Sequence, residues 1–195
     1  STVSLFYNPG FDDFDKSDSE FLIVFAGWLS ASYKDKIHLN GIIYLHRISY
    51  FRMQGSAKKN LVTFKKLCGP DALKIIILTT TMWDTTPVKE ATMREQELKD
   101  TPEFWGWMLS KGSSCHRYDN TAESARRIIL SLAQRNTPIV TDLQRQLVDE
   151  ERTLDQTSAG QELHNELMKE RERWAKERRA IEESMKAAIE QRDKE

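Results

Sequence analysis

Three short apolar runs punctuate the first part of the chain: Leu5-Phe6-Tyr7, Ile42-Ile43-Tyr44-Leu45, and Ile75-Ile76-Ile77-Leu78 followed by Thr79-Thr80. None alternates strictly between apolar and polar positions, which is the pattern of strands covered on both faces. Cys115-His116-Arg117-Tyr118 reads as a fourth, weaker strand. Between these runs apolar positions recur every three or four residues, as helices with one buried face require. Phe21, Leu22, Phe25, Trp28 and Leu29 form one stripe, behind a Ser17-Asp18-Ser19-Glu20 capping box. Leu61, Phe64 and Leu67 form the next, over Ser56 to Cys68, and Gly69-Pro70 ends it. Two short helices are expected over Val88 to Leu98 and Glu103 to Leu109, split by Thr101-Pro102, and a last one over Thr121 to Ala133.

The order is strand, helix, strand, helix, strand, helices, strand, helix. That alternation predicts an α/β fold with a mostly parallel sheet of about four strands joined by right-handed crossovers. Open parallel sheets bind ligands beyond the carboxyl ends of their strands. Chemistry is therefore expected in the loops Asn8 to Lys16, His46 to Gly55, Thr81 to Thr86 and Asp119 to Thr121.

From Pro138 onward the pattern changes. Residues 161–195 carry 19 charged side chains in 35, and no glycine follows Gly160. Leu167, Trp174, Ile181 and Ala188 recur every seven residues, but Glu170, Glu177 and Ser184 occupy the second seam that a coiled coil fills with apolar residues. The tail is expected to be one long charged helix, either solvated or bound to a partner or a second copy. This divides the chain into an α/β unit, residues 1–138, and a helical extension, residues 139–195.

Across the whole chain, 29 basic residues balance 30 acidic ones, for a net charge of −1. That balance argues against a nucleic-acid partner, which attracts a basic excess. No apolar run reaches the ~20 residues of a membrane-spanning helix. Cys68 and Cys115 offer no disulfide framework, so a reducing, cytoplasmic setting is expected. The chain opens at Ser1 within an apolar run, and an upstream segment is expected on that ground.

Three of the loops share a resemblance. Asn8-Pro9-Gly10-Phe11-Asp12-Asp13, Thr81-Met82-Trp83-Asp84 and Tyr118-Asp119-Asn120 together resemble the second half of a P-loop GTPase. The likeness is to the branch of septins and immunity-associated, avirulence-induced G-domain proteins. The run from Leu39 to Ile48 is similar to one in fungal G-domain proteins of that branch. The resemblance implies a partial Ras-like three-layer fold that binds GTP or GDP with Mg²⁺. Gly10 would contact the terminal phosphate through its backbone, although Tyr7 stands where the family has its metal-supporting Asp. Asp84 would accept from the two N–H groups on the guanine edge, with Thr81 bracing its loop. Tyr118, Asp119 and Asn120 would lie against the base, or Asn120 or Thr121 would instead cap the following helix.

The phosphate cradle of that family, Gly-x-x-x-x-Gly-Lys-Ser/Thr, is absent from the sequence. Phosphoryl transfer is mostly positioning and charge neutralisation, so its loss implies no hydrolysis by this chain alone. In Ras-like folds the strand bearing the cradle lies between the counterparts of Leu5–Tyr7 and Ile42–Leu45. Without it, these two runs are expected to pair directly, or the first to be loosely held. Two functions stay open: a guanine-nucleotide-binding domain represented by its C-terminal portion, or a non-catalytic interaction module using the degenerate domain and its helix.

Overall fold

The structure, a computed structural model, describes residues 4–7, 18–50, 53, 55–134 and 138–192. The main elements, in order, are α1 (Asp18–Lys34), β1 (Ile42–Arg47), α2 (Ser56–Cys68), β2 (Ile76–Thr81), α3 (Val88–Asp100), α4 (Trp107–Ser110), β3 (Ser114–Arg117), α5 (Ala122–Ala133), α6 (Asp142–Gln144) and α7 (Ser158–Arg192). The sheet has the order β1-β2-β3 with both pairs parallel. The protein is thus α/β, with three strands among the described residues rather than four. The missing one is Leu5-Phe6-Tyr7: residues 4–7 form no strand, and Leu5, Phe6 and Tyr7 are all exposed. Phe6 instead stacks on Trp28 of α1, with ring centroids 3.9 Å apart. A three-residue apolar run can be satisfied by one aromatic contact, and this one does not pair with β1. The Ser17 capping box lies outside the described residues.

β2 is the central strand, and Ile76 through Thr80 are fully buried. The side chains of a strand alternate between faces. The register Tyr44↔Leu78 and His46↔Thr80 places these four residues on one face. There Tyr44 meets Phe64 of α2 at 4.8 Å, so α2 covers that face. Ile77 and Thr79 point to the opposite face and are equally buried. α5 lies on this second side, where Leu132 abuts Gly41 at the entrance to β1 so closely that a side chain at position 41 would collide with it. Leu45, on the same face of β1, stays 59% exposed. The second face is therefore covered unevenly.

α6 and the first part of α7 pack on α2, and α1 packs on α6 and α7. Leu22, Ala26 and Leu29 of α1, Leu61, Phe64 and Leu67 of α2, and Leu143 of α6 join one apolar core with Ile76 and Leu78. Gly69 ends α2 at a φ of +72°, a region glycine enters without strain, and a Cβ there would run into the Asp142 carboxylate. Thr141 and Gln144 form a reciprocal cap at the start of α6, and the Gln144 amide also donates to the Leu29 carbonyl of α1 at 3.3 Å. Ile139 pairs with Leu39 in an antiparallel bridge. Ala159 and Leu163 of α7 are buried in the same core. Packing thus continues well past residue 138, where the composition changes. No helix among the described residues is long and apolar enough to cross a membrane.

These contacts set an expected outcome for truncation. A chain ending at residue 138 loses Leu143 and Leu163 from the core together with the Gln144 tie, at a cost of about 5 kcal/mol. That is comparable to the total stability of many domains. Its denaturant unfolding is expected to shift to far lower midpoint or lose cooperativity, whereas a chain ending at residue 170 keeps both. Equal midpoints for the two would contradict this packing.

Candidate functional site at the strand ends

The carboxyl ends of β2 and β3 lie side by side because Thr80 is in register with Arg117. The sheet contacts extend one step beyond each neighbouring strand. The Tyr118 amide donates to the Thr80 carbonyl at 2.9 Å, and the Ile48 amide donates to the Thr81 carbonyl at 3.0 Å. Residues 82–84 and 118–121 therefore leave the sheet as neighbouring loops. Thr81 braces the exit further, its hydroxyl donating to the His46 carbonyl at 3.4 Å. Burial of the His46 ring lowers its pKa to about 4, so it is neutral at pH 7.

The first loop is shaped by its own polar groups. Met82 has a φ of +61°, a left-handed conformation uncommon for a side chain of that size. Its carbonyl accepts from the hydroxyls of Thr85 at 3.1 Å and Thr86 at 3.4 Å. Asp84 follows in an exposed turn, and its carboxylate has no hydrogen-bond or ion-pair partner among the described residues. It is free to accept from a ligand.

The second loop is different. Asp119 accepts from the Thr121 hydroxyl at 2.5 Å and from the Thr121 amide at 3.2 Å. Local hydrogen bonding by Ser124 and Thr121 holds its carboxyl below the usual carboxylate range. The Asp119 carboxylate is thereby committed to the turn. Thr121 is the N-cap of α5, its side chain accepting from the Ser124 amide at 3.1 Å. Asn120 has a φ of +63°, and its side-chain oxygen accepts from the Tyr118 hydroxyl at 3.4 Å. Tyr118 and Asn120 thus form one polar edge beside the cap. Gly10 lies outside the described residues, and Tyr7 is a largely exposed residue away from any strand.

Beneath both loops sits an ionic cluster that the sequence reading did not single out. Glu95 of α3 is 3% exposed. It accepts from Arg117 Nε at 2.9 Å and from Arg117 Nη2 at 2.5 Å, and Lys99 reaches it at 3.0 Å. Burial alone would raise the Glu95 carboxyl, but the hydrogen bonds and charges of Arg117 and Lys99 outweigh it and leave the group below its ordinary value. The guanidinium of Arg117 lies over the Trp83 ring, 4.1 Å from its centroid. The Trp83 indole N–H donates to the Thr80 hydroxyl at 3.0 Å. One chain of contacts, Glu95–Arg117–Trp83–Thr80, therefore ties the loop after β2 to the end of β3. A signal was present in the sequence: Ala91, Glu95 and Leu98 share the buried stripe of α3, and a glutamate on such a stripe needs a partner.

Two of the four lysines of α2 are tied to other elements. Lys59 pairs with Glu170 of α7 at 2.7 Å, and Lys65 donates to the Glu103 carbonyl at 2.7 Å. Among the described residues, no group of three His, Cys, Asp or Glu side chains converges as a metal site.

Removing Arg117 leaves Glu95 buried with Lys99 as its remaining charged partner. Arg117 is itself half exposed, so Arg117→Ala is expected to cost about 1–3 kcal/mol rather than the larger loss of a fully buried pair. The sign with pH follows from the lowered carboxyl. Its contribution is complete above the ordinary glutamate value of about 4.3 and disappears as pH falls through the lower folded value. Denaturation of the two proteins from pH 7 to pH 3 should show their difference narrowing in acid. A difference that is constant with pH would contradict the pairing. No family model, curated protein or solved structure matches the chain.

Proposed function

We propose that this chain is the base-binding portion of a guanine-nucleotide-binding domain of partial Ras-like architecture, and that it does not hydrolyse GTP by itself. The observation that carries the proposal is the Asp84 carboxylate, which has no hydrogen-bond or ion-pair partner among the described residues and lies in a loop that leaves the sheet beside the strand leading to Tyr118 and Asn120. A carboxylate there accepts from guanine N1–H and the exocyclic amine together. Adenine lacks that donor pair and leaves the carboxylate unsatisfied, which supplies the discrimination. Asn120 offers polar contacts at the rim, and Met82 a soft apolar surface for a ring.

Further support comes from the backbone. Met82 and Asn120 are both left-handed, and each lies just beyond its strand. Strain of this kind costs of order 1 kcal/mol per residue and persists where the surroundings fix it, as the threonine bonds and the Tyr118 bond do here. The open side of the sheet fits the same reading. Among the described residues β1 is an edge strand, on the edge where the resemblance places the strand carrying the phosphate cradle.

The residues do not fit the phosphates or Mg²⁺. The sequence has no Gly-rich Lys-Ser/Thr loop, and Tyr7 offers a phenol in place of a carboxylate. Binding is accordingly expected to be weak, with a dissociation constant of about 1 mM, corresponding to a few kcal/mol from the base alone. Titration with a fluorescent GTP analogue should show guanine-specific binding that excess ATP does not displace. Asp84→Asn should weaken it by about tenfold or more. Equal competition by ATP, or an unchanged affinity of the Asp84→Asn protein, would rule the proposal out.

A further inference from the structure

α7 is two things along one face. Its first part is a packing element: Ala159 and Leu163 enter the core, and Glu170 is held by Lys59 of α2. From Arg171 onward every described side chain is exposed. The helix nevertheless continues to Arg192, which is about 33 Å of overhang at 1.5 Å per residue. At 100° per residue, Trp174, Ile181 and Met185 fall within a narrow arc, and that arc continues the line of Leu163 and Leu167. Ile189 borders it. Trp174, Ile181, Met185 and Ile189 are between 57% and 65% exposed. The face that packs on the domain thus runs out beyond it with none of the described residues covering it.

We propose that this overhang is a self-association surface, and that two copies of the chain pair through it in antiparallel orientation. Charge supplies the first argument. Residues 171–179 carry five basic and two acidic side chains, whereas residues 180–195 carry five acidic and three basic. Antiparallel pairing sets the basic part of one copy against the acidic part of the other. Parallel pairing sets like against like.

Steric constraint supplies the second argument. The stripe points toward the side on which α2 and its domain sit, because Leu163 and Glu170 on that face already touch them. In a parallel pair both domains would compete for the space between the helices. In an antiparallel pair each overhang lies beyond the end of the other's domain, and the domains stand at opposite ends. With the two-fold axis near Ile181, Trp174 of one copy falls between Met185 and Ile189 of the other. Tryptophan, isoleucine and methionine are suitable occupants for such a contact. The inference does not depend on nucleotide binding.

The test uses the full chain. Sedimentation equilibrium from 1 to 200 µM is expected to show a monomer–dimer equilibrium that weakens with salt. Ile181→Glu combined with Met185→Glu should raise the dissociation constant at least about tenfold, while thermal unfolding of the domain stays unchanged because both side chains are exposed. Orientation is read from single cysteines. Under oxidation Ile181→Cys, near the axis, should give a crosslinked dimer above the background of the unmodified chain, and Trp174→Cys, which only an in-register parallel pair brings face to face and the antiparallel pair holds about 21 Å apart along the helix, should not. A monomer throughout the range, a dimer indifferent to the double substitution, crosslinking at position 174, or none at 181 would each overturn the proposal, the first leaving the stripe to a different protein.

Discussion

The architecture depends on burying β2 on both faces. Ile76 to Thr80 have essentially no exposed surface, so the strand must be flanked by β1 and β3 and covered from both sides. Apolar burial supplies the driving force over its first half. Over its second half the side chains are threonines, and these hydroxyls need partners in a place that water does not reach. Thr80 finds its partners in Glu95, Trp83 and His116 and Thr81 finds one in His46, whereas the buried Thr79 hydroxyl has no partner among the described residues. The transition from isoleucine to threonine along one strand therefore marks the passage from core to candidate site.

That passage explains why the two loops are coupled. Arg117 belongs to β3 by its backbone, to α3 by its bond with Glu95, and to the loop after β2 by its contact with Trp83. A single guanidinium can serve all three because its plane stacks on a ring while its edge forms two hydrogen bonds to a carboxylate. The result is an exposed carboxylate on Asp84 above a fixed base, and a neighbouring edge at Tyr118 and Asn120 built around the Thr121 cap. The two aspartates differ accordingly: Asp119 is committed to the turn, and Asp84 is not.

Periodicity was enough to locate α2, α3 and α5, because their buried faces repeat at helical spacing. β2 was equally clear as a continuous apolar run. Leu5-Phe6-Tyr7 misled because three apolar residues satisfy a strand pattern and an aromatic stack equally well, and only the contact with Trp28 distinguishes them. The reach of the core into α7 was hidden by composition. Two small contacts, Ala159 and Leu163, decide the packing within a segment dominated by charge. The Lys59–Glu170 and Arg117–Glu95 pairs join residues 111 and 22 positions apart, which no local pattern can report. Within the site, the position of Asp84 at a strand end was legible, but the cluster that supports it was visible only as one glutamate on an apolar stripe.

The central claim is that both loops are held by the sheet rather than merely emerging from it. Native-state amide hydrogen exchange tests it most directly at two positions, Ile48 and Tyr118, whose N–H groups bond the carbonyls of Thr81 and Thr80. Amides in one cooperative unit open with a common free energy. The account predicts that Ile48 and Tyr118 exchange with the same opening free energy as Ile77 within β2. Protection of Ile77 alongside near-unprotected exchange at Ile48 and Tyr118 would contradict it.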